Sequence, residues 1–189
     1  MKIIETPRLV LRPWRLEDAP ALYAYAKNPN VGPNAGWKPH ESLEESEKII
    51  RELFLPSVGE EYVWAIVPKD AGVPCGSFGL EEDGRRPGVP SCRSLGYVLG
   101  EEQWGKGYMT EAARAVLRFG FEEQGLGLIT VNHFANNRRS RRVIEKCGFS
   151  REGVMRGAES ALDGTMRDLV LHSMTRAEWE AARRGTAAG

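Results

Sequence analysis

No stretch of the 189 residues comes near the roughly 18 consecutive apolar residues that a membrane-spanning helix requires. The chain opens MKIIETPRLVLRPW, with no apolar signal-peptide core and a charge at the second residue, so a cytoplasmic protein is expected. Cysteine is scarce. Cys75, Cys92 and Cys147 are odd in number, far apart and form no C-x-x-C, which points to structural thiols rather than a disulfide framework or a metal site. Neither sign of charge is in excess: 26 Lys and Arg balance 26 Asp and Glu. A surface dedicated to nucleic acid is therefore not expected, although local basic patches are. Internal repeats and low-complexity linkers are absent as well. What is present is the 41% apolar and 28% charged composition of a globular domain. We read one domain over residues 1–180, with a frayed tail at 181–189.

Periodicity places the elements. Arg8–Trp14 alternates, with Leu9 and Leu11 on one face, and predicts the first strand. Asp18 is positioned to cap a helix reaching about Lys27, with Pro20 in its first turn. The Asn-, Pro- and Gly-rich NPNVGPNAGWKPH that follows predicts a loop. Ser42 and Glu45 form a capping-box pattern before a helix that sets Ile49, Ile50, Leu53 and Phe54 on one side. Strands are predicted at 61–67, at CGSFGLEE as its hairpin partner across Ala71–Pro74, and at CRSLGYVLG, with EDGRRPGVPS as an exposed loop. A helix from about Gly105 to Gln124 has Met109, Ala112, Ala113, Val116, Leu117 and Gly120 along one face. LITVNHF (128–134) reads as a strand. A short helix follows, with Ser140, Val143, Ile144 and Cys147 on one face and Gly148-Phe149 as its C-terminal stop. Final strands are expected near 149–155 and 167–174. This order argues for a three-layer α/β or α+β domain.

The stretch EQWGKGYMTEA poses the functional question. Gly105 and Gly107 lie between a predicted strand and a predicted helix. Glycines there serve a tight turn, or they let an anion approach the unpaired N–H groups and positive dipole end of the helix. There is no G-x-x-x-x-G-K-[ST], and Thr110 stands where a dinucleotide fingerprint needs its third glycine. Both nucleotide readings therefore fall away.

NNRRSRRVIEKCGF, arriving after LITVNHF and well after WGKGYMTEA, narrows the choice. With TPRLVLRPWRLEDAPAL, LGYVLGEEQWGKGYMTEA, NNRRSRRVIEKCGFSREGVMR and DLVLHSM, the chain resembles the GNAT family of acyl-CoA-dependent N-acetyltransferases over nearly its whole length. It is most similar to the branch of bacterial ribosomal-protein N-terminal acetyltransferases. The resemblance implies the GNAT fold, a central, mostly antiparallel mixed sheet of six to seven strands flanked by helices. It implies acetyl-CoA as cosubstrate and no metal. The acceptor implied is an amine, foremost a protein N-terminus, with neither nucleic acid nor membrane as a partner and with room for a homodimer.

Carried over residue by residue, the resemblance implies that main-chain amides around Gly105, Lys106, Gly107, Tyr108 and Met109 hold the pyrophosphate. Glu102 departs from the family's Gln or Arg at that place. Tyr97, Val98 and Leu99 should splay from the neighbouring strand and pair with the pantetheine arm, leaving an N–H near Leu99 for the thioester oxygen. Many relatives carry an acid-role tyrosine four residues before the Gly-Phe, where this chain has Ile144. In the ribosomal-protein branch Ser140 matches the proposed acid and Glu159 the proposed base. Asn137 would bind the cofactor or orient a water. Trp37 and His40, in the loop bordering the acceptor in relatives, would contact substrate.

The chemistry sets what these groups must supply. An α-amine with a pKa near 8 is roughly 10% neutral at pH 7, whereas a lysine near 10.4 is below about 0.1% neutral, a gap of about 3.3 kcal/mol. An α-amine therefore needs only a carboxylate, direct or through one water. Other readings stay open. Ser140 also fits a small packing residue, and Glu159 a solvated loop charge. Arg138, Arg139, Arg141 and Arg142 fit either anion contacts or a solvated face. His133 reads as a satisfied structural histidine, and Trp104 and Trp64 as core. The same chemistry on a small amine such as an antibiotic, polyamine or amino-acid derivative is the alternative function. A non-catalytic acyl-CoA sensor ranks below it.

Overall fold

The computed structural model describes residues 1–55, 62–161 and 163–187. Glu61, expected in a strand, and Ala188 and Gly189, expected in the tail, lie outside them. One eight-stranded sheet runs β1 (Ile4–Glu5), β2 (Leu9–Pro13), β3 (Tyr62–Pro68), β4 (Gly76–Glu81), β5 (Cys92–Leu99), β6 (Leu128–Phe134), β8 (Met166–Thr175) and β7 (Ser150–Ser160) in spatial order. Every pairing is antiparallel except β5 with β6. These two are joined through α3 (Tyr108–Arg118), the crossover that parallel strands require. The sheet has one strand more than expected. Ile4 and Glu5 are too few to show alternation, and only pairing with Val10 and Leu11 makes them a strand.

Period-two alternation divides the core. On β3, Trp64 and Ile66 face a cluster completed by α3 and α4 (Arg138–Cys147), while Ala65 and Val67 face one completed by α1 (Ala19–Ala26) and Ile50. The apolar stripe predicted for α3 is buried against the first cluster, and burying each large side chain contributes about 1.5–3 kcal/mol. Gly120, in the π turn that ends this helix, is small for a reason: a Cβ there would meet Ile129 Cδ1 at 2.8 Å.

Four local expectations change. Asp18 does not cap α1 with its side chain. It accepts two bonds from the Arg12 guanidinium, at 2.6 and 2.7 Å, and one from the Arg15 N–H. A buried carboxylate is stabilised more by a bidentate cation than by a helix end. Ser42 does cap α2 (Leu43–Ile49) by accepting the Glu45 N–H at 3.1 Å, but Glu45 reaches back to the Glu41 N–H instead of closing the box. Behind α2 the chain forms a π turn at 50–54, which rotates the 3.6-residue stripe. Ile50 is fully buried while Leu53 is 60% exposed. Residues 181–187, read as frayed tail, continue the helix α5 (Arg176–Ala187). Trp179 anchors it on Phe121, ring centroids 5.3 Å apart. No helix among the described residues is long and apolar enough to cross a membrane.

Candidate active site

The parallel pairing of β5 with β6 stops at Leu95 opposite Val131. Beyond it the strands part, and Gly96–Leu99 keep only their antiparallel partner β4. The Gly100 N–H donates to the Cys75 carbonyl at 2.8 Å, so the alternation of an antiparallel ladder turns the main-chain groups of Tyr97 and Leu99 away from β4, into the opening. A cleft of about 600 Å³ occupies that opening, within the range of small-molecule sites.

At one end of the cleft the chain turns into α3. Gly105 and Gly107 both have left-handed backbones, φ +78° and +82°, which side chains other than glycine's rarely adopt. A Cβ at Gly105 would find no protein atom within 4 Å, so open space lies over the turn. Gly107 is the N-cap of α3 and no side chain caps the helix, which leaves the first-turn N–H groups free for an anion. The turn is held from behind. Arg8 donates to the Lys106 carbonyl at 2.9 Å and to Glu111 at 2.7 Å, and its guanidinium lies over the Tyr108 ring. The Arg8 N–H and Thr6 hydroxyl also donate to Glu111. Burial alone would raise the Glu111 carboxyl; these donors outweigh it and hold it below the usual range.

The opposite wall is α4. Asn137 caps it by accepting the Ser140 N–H at 3.1 Å and donates to the Asn34 carbonyl, so its amide ties α4 to the loop at 28–42. Ser140 Oγ lies 2.9 Å from the Tyr97 hydroxyl. Burial pushes that phenol well up, against the Ser140 contact, and it stays protonated. Arg139 stacks over Trp104 at 3.9 Å, and Trp104 donates its indole N–H to the Leu99 carbonyl at 2.7 Å. Trp104, expected in the core, therefore forms part of the cleft wall, whereas Trp64 is fully buried. Of the four arginines around Ser140, Arg139 and Arg142 line the cleft, while Arg141 pairs with Glu145 on the solvated face.

The far end is built by the loop after β4 and by β7. Asp83, in a stretch read as exposed, is 3% exposed. It accepts from Thr130, the Arg85 N–H and Arg86, which folds the loop onto the sheet. Arg86 also pairs with Glu152 on β7. Arg85 then reaches Glu159 Oε1 at 3.3 Å, in the cleft. Burial by itself would raise the Asp83 carboxyl, but the hydrogen bonds from Arg85, Arg86 and Thr130 and the Arg86 charge together hold it below its ordinary 3.8. A carboxyl depressed in the folded state contributes stability that is complete above the unfolded value and is lost as pH falls through the lower, folded one. The expected result is an acid limb in urea-unfolding stability below about pH 4, worth about 1.4 kcal/mol per unit of depression and flattened in Asp83→Asn.

Among the residues singled out from the sequence, Val98, Leu99, Gly105, Gly107, Tyr108, Met109, Asn137, Ser140 and Glu159 line this one cleft. Lys106 does not: its carbonyl is taken by Arg8 and its ammonium by Gln103. Trp37 and His40 are not lining residues either. Trp37 packs on Gly32 and on the His40 ring, and His40 Nδ1 bonds Ser46 Oγ at 2.8 Å, so the pair braces the loop while its neighbours Val31, Asn34 and Ala35 reach the cleft. Burial lowers the His40 pKa, against the Glu45 charge. His133 is buried and only half satisfied. Its Nδ1 bonds the Phe134 carbonyl, its Nε2 has no partner among the described residues, and its ring stacks on His172. The sequence reading used the Tyr97 backbone and missed its hydroxyl; only packing brings it to Ser140, 43 positions away. No group of three or more His, Cys, Asp or Glu among the described residues is arranged to hold a metal.

Residues 8–150 match the family described as Acetyltransferase (GNAT) domain. An uncharacterized N-acetyltransferase, p20 of Bacillus licheniformis, is 28% identical over 95% of this chain and 99% of its own length. The [ribosomal protein uS5]-alanine N-acetyltransferase of Escherichia coli K12 is 35% identical over 47% of this chain and 45% of that enzyme. The solved structure of RimL, a ribosomal L7/L12 α-N-protein acetyltransferase in complex with coenzyme A, superposes with a TM-score of 0.79 at 22% identity, covering 92% of this chain and 98% of that one.

Proposed function

The chain belongs to the GNAT family of N-acetyltransferases, and from that premise we propose that it transfers acetyl from acetyl-CoA to the α-amine of a protein N-terminus, ribosomal proteins being the first candidates. The observation that carries this reading is the placement of Ser140 and Glu159, from α4 and β7, in the cleft opened by the parting of β5 and β6. The curated uS5-alanine enzyme and the RimL structure support the choice of acceptor by their stated activities.

The residues present fit acetyl-CoA. The left-handed turn at Gly105–Gly107 and the first-turn amides of α3 offer N–H groups to a pyrophosphate. The Tyr97 main chain and the Leu99 N–H offer strand-type partners to an extended amide arm, the Leu99 carbonyl being held by Trp104. When bound there, the thioester supplies an activated acetyl group and a thiolate leaving group. The Leu99 N–H stands on the side where it would meet the thioester oxygen. Glu159 takes the proton of the attacking amine. Its side chain is 41% exposed and ion-paired with Arg85, an environment suited to the modest demand of an α-amine rather than that of a lysine.

Ser140 donates a hydrogen bond from its hydroxyl to the sulfur, which leaves as a thiolate while the serine keeps its proton. Tyr97, kept as a phenol by burial, has an O–H within reach of Ser140 Oγ; with the phenol as donor of that 2.9 Å bond, the serine O–H is free to point into the cleft. Ser140→Ala is expected to lower kcat about tenfold and Tyr97→Phe about three- to tenfold, one hydrogen bond's worth, with the Kd for acetyl-CoA unchanged. Steady-state kinetics and calorimetry check both; wild-type kcat in either variant removes that residue's role.

The test of the function itself is release of coenzyme A against peptides with Ser, Ala or Met N-termini and, separately, against polyamines, aminoglycosides and amino-acid derivatives, with mass spectrometry to locate the acetyl group. Acetylated peptide α-amines support the reading. Acetylation of small amines alone overturns the choice of acceptor. Acetyl-CoA binding with no turnover on any acceptor would instead mark a sensor.

A further inference from the structure

The strand that carries Glu159 is not regular. Met155 lies opposite Leu169, yet Glu159 lies opposite Arg167, so four residues on β7 run against two on β8. Two residues are thus extra on β7. An uninterrupted ladder would continue 157 against 167 and 159 against 165. At about 3.4 Å per residue it would carry Glu159 about 7 Å farther toward the hairpin turn. Because the insertion is even, Glu159 keeps the sheet face of Met155, Leu169 and Phe134, and the bulge changes only its position along the strand. Arg167, now its neighbour, is itself anchored. It donates to the Pro33 carbonyl at 2.8 Å and lies over the Phe134 ring.

A bulge leaves main-chain groups without ladder partners, and one contact satisfies this one. Gly157 takes a left-handed backbone, φ +58°, and donates its N–H to Asp168 Oδ1 at 2.8 Å. Asp168 sits between Leu169 and Arg167, directly across from the extra residues. Its own carbonyl accepts the Ala135 N–H at 3.0 Å, which ties it to the end of β6, beside the cleft.

We propose that Asp168 is a positioning residue for the transfer reaction: by clasping the Gly157 N–H it holds the two-residue bulge that brings Glu159 back into the cleft beside Arg85. This rests on Glu159 acting as the proton acceptor, as proposed above. Asp168 touches neither substrate and acts only through the backbone of β7.

The test compares Asp168→Ala, Asp168→Asn, Glu159→Gln and the double variant Asp168→Ala/Glu159→Gln, reading kcat/KM for an N-terminal peptide and the Kd for acetyl-CoA. Asp168→Ala is expected to lower kcat/KM about 10- to 30-fold with Kd unchanged. Asp168→Asn, whose Oδ1 accepts the same N–H, is expected to recover most of that loss. In the Glu159→Gln background Asp168→Ala should cost less than about twofold, because there is no base left to misplace. A merely structural role would give equal losses in both backgrounds and would weaken acetyl-CoA binding as well. Equal losses, a wild-type rate in Asp168→Ala, or no recovery in Asp168→Asn overturns the proposal. Should Asp168→Ala not fold, Asp168→Ser, too short to reach Gly157, carries the same expectations. A Glu159→Gln enzyme as fast as wild type removes the reading of Glu159 and this role with it. A slow Glu159→Gln beside a fast Asp168→Ala removes this role alone.

Discussion

A Glu159→Gln enzyme is expected to lose about 10²- to 10³-fold in kcat/KM for a peptide acceptor while binding acetyl-CoA as tightly as before. The substitution keeps the size and hydrogen-bonding reach of the side chain and removes only its capacity to take a proton. About 90% of an α-amine is protonated at pH 7, and the proton on its nitrogen must leave as the amide forms. Without the carboxylate that proton goes to water, and the rate of the variant should simply follow the free amine, rising through pH 8. The ion pair with Arg85 is lost as well, but on a side chain 41% exposed that contributes little to stability, and unfolding should be almost unchanged. Stopped assays across pH 6–9 and acetyl-CoA titration calorimetry make the comparison. Wild-type turnover would sink the assignment, and a parallel loss of acetyl-CoA affinity would mean that the residue shapes the cleft instead.

Gly107→Val should act on the other half of the reaction. Its φ of +82° is strained for any side chain and most strained for a β-branched one, a cost of about 1–3 kcal/mol. The added Cβ would sit in ordinary contact with the Arg8 guanidinium, at 3.4 Å, so the cost comes from the backbone angle. Relief of that strain turns the N-cap of α3 and misaligns its first amides. The expected result is a Kd for acetyl-CoA raised about 10- to 100-fold, with the acceptor KM little changed. Gly105→Ala offers a contrast, since its Cβ would enter space that no protein atom fills. A loss of binding there reports the room the ligand itself needs. Normal acetyl-CoA binding by Gly107→Val would mean that this turn is not the pyrophosphate cradle.

Much of this was legible in the residue order. The stripe Met109–Ala112–Ala113–Val116–Leu117 requires a helix against a core, and the alternation of Trp64–Val67 a strand between two layers. Gly105 and Gly107 can be read because their backbone angles are ones that L side chains avoid. Leu53 was misplaced because a π turn changes the helical period, and the strand at Ile4–Glu5 went unread because two residues have no period. Trp37 and His40 lie in the right loop, but which of its side chains turn toward the cleft depends on what packs behind them, here Gly32 and Ser46.

Local sequence thus determined the helices, most strands, the glycine turn and the types of residue available for acyl transfer, since each depends on neighbours within a few positions. The tertiary structure alone decided where the strands part, that a phenol from β5 meets Ser140, that Asp83 folds the loop presenting Arg85, and that a bulge moves Glu159 along β7. Each of those joins groups tens of residues apart, or counts residues on one strand against another. Such relations are set by how the elements pack, and no periodicity along a single chain encodes them.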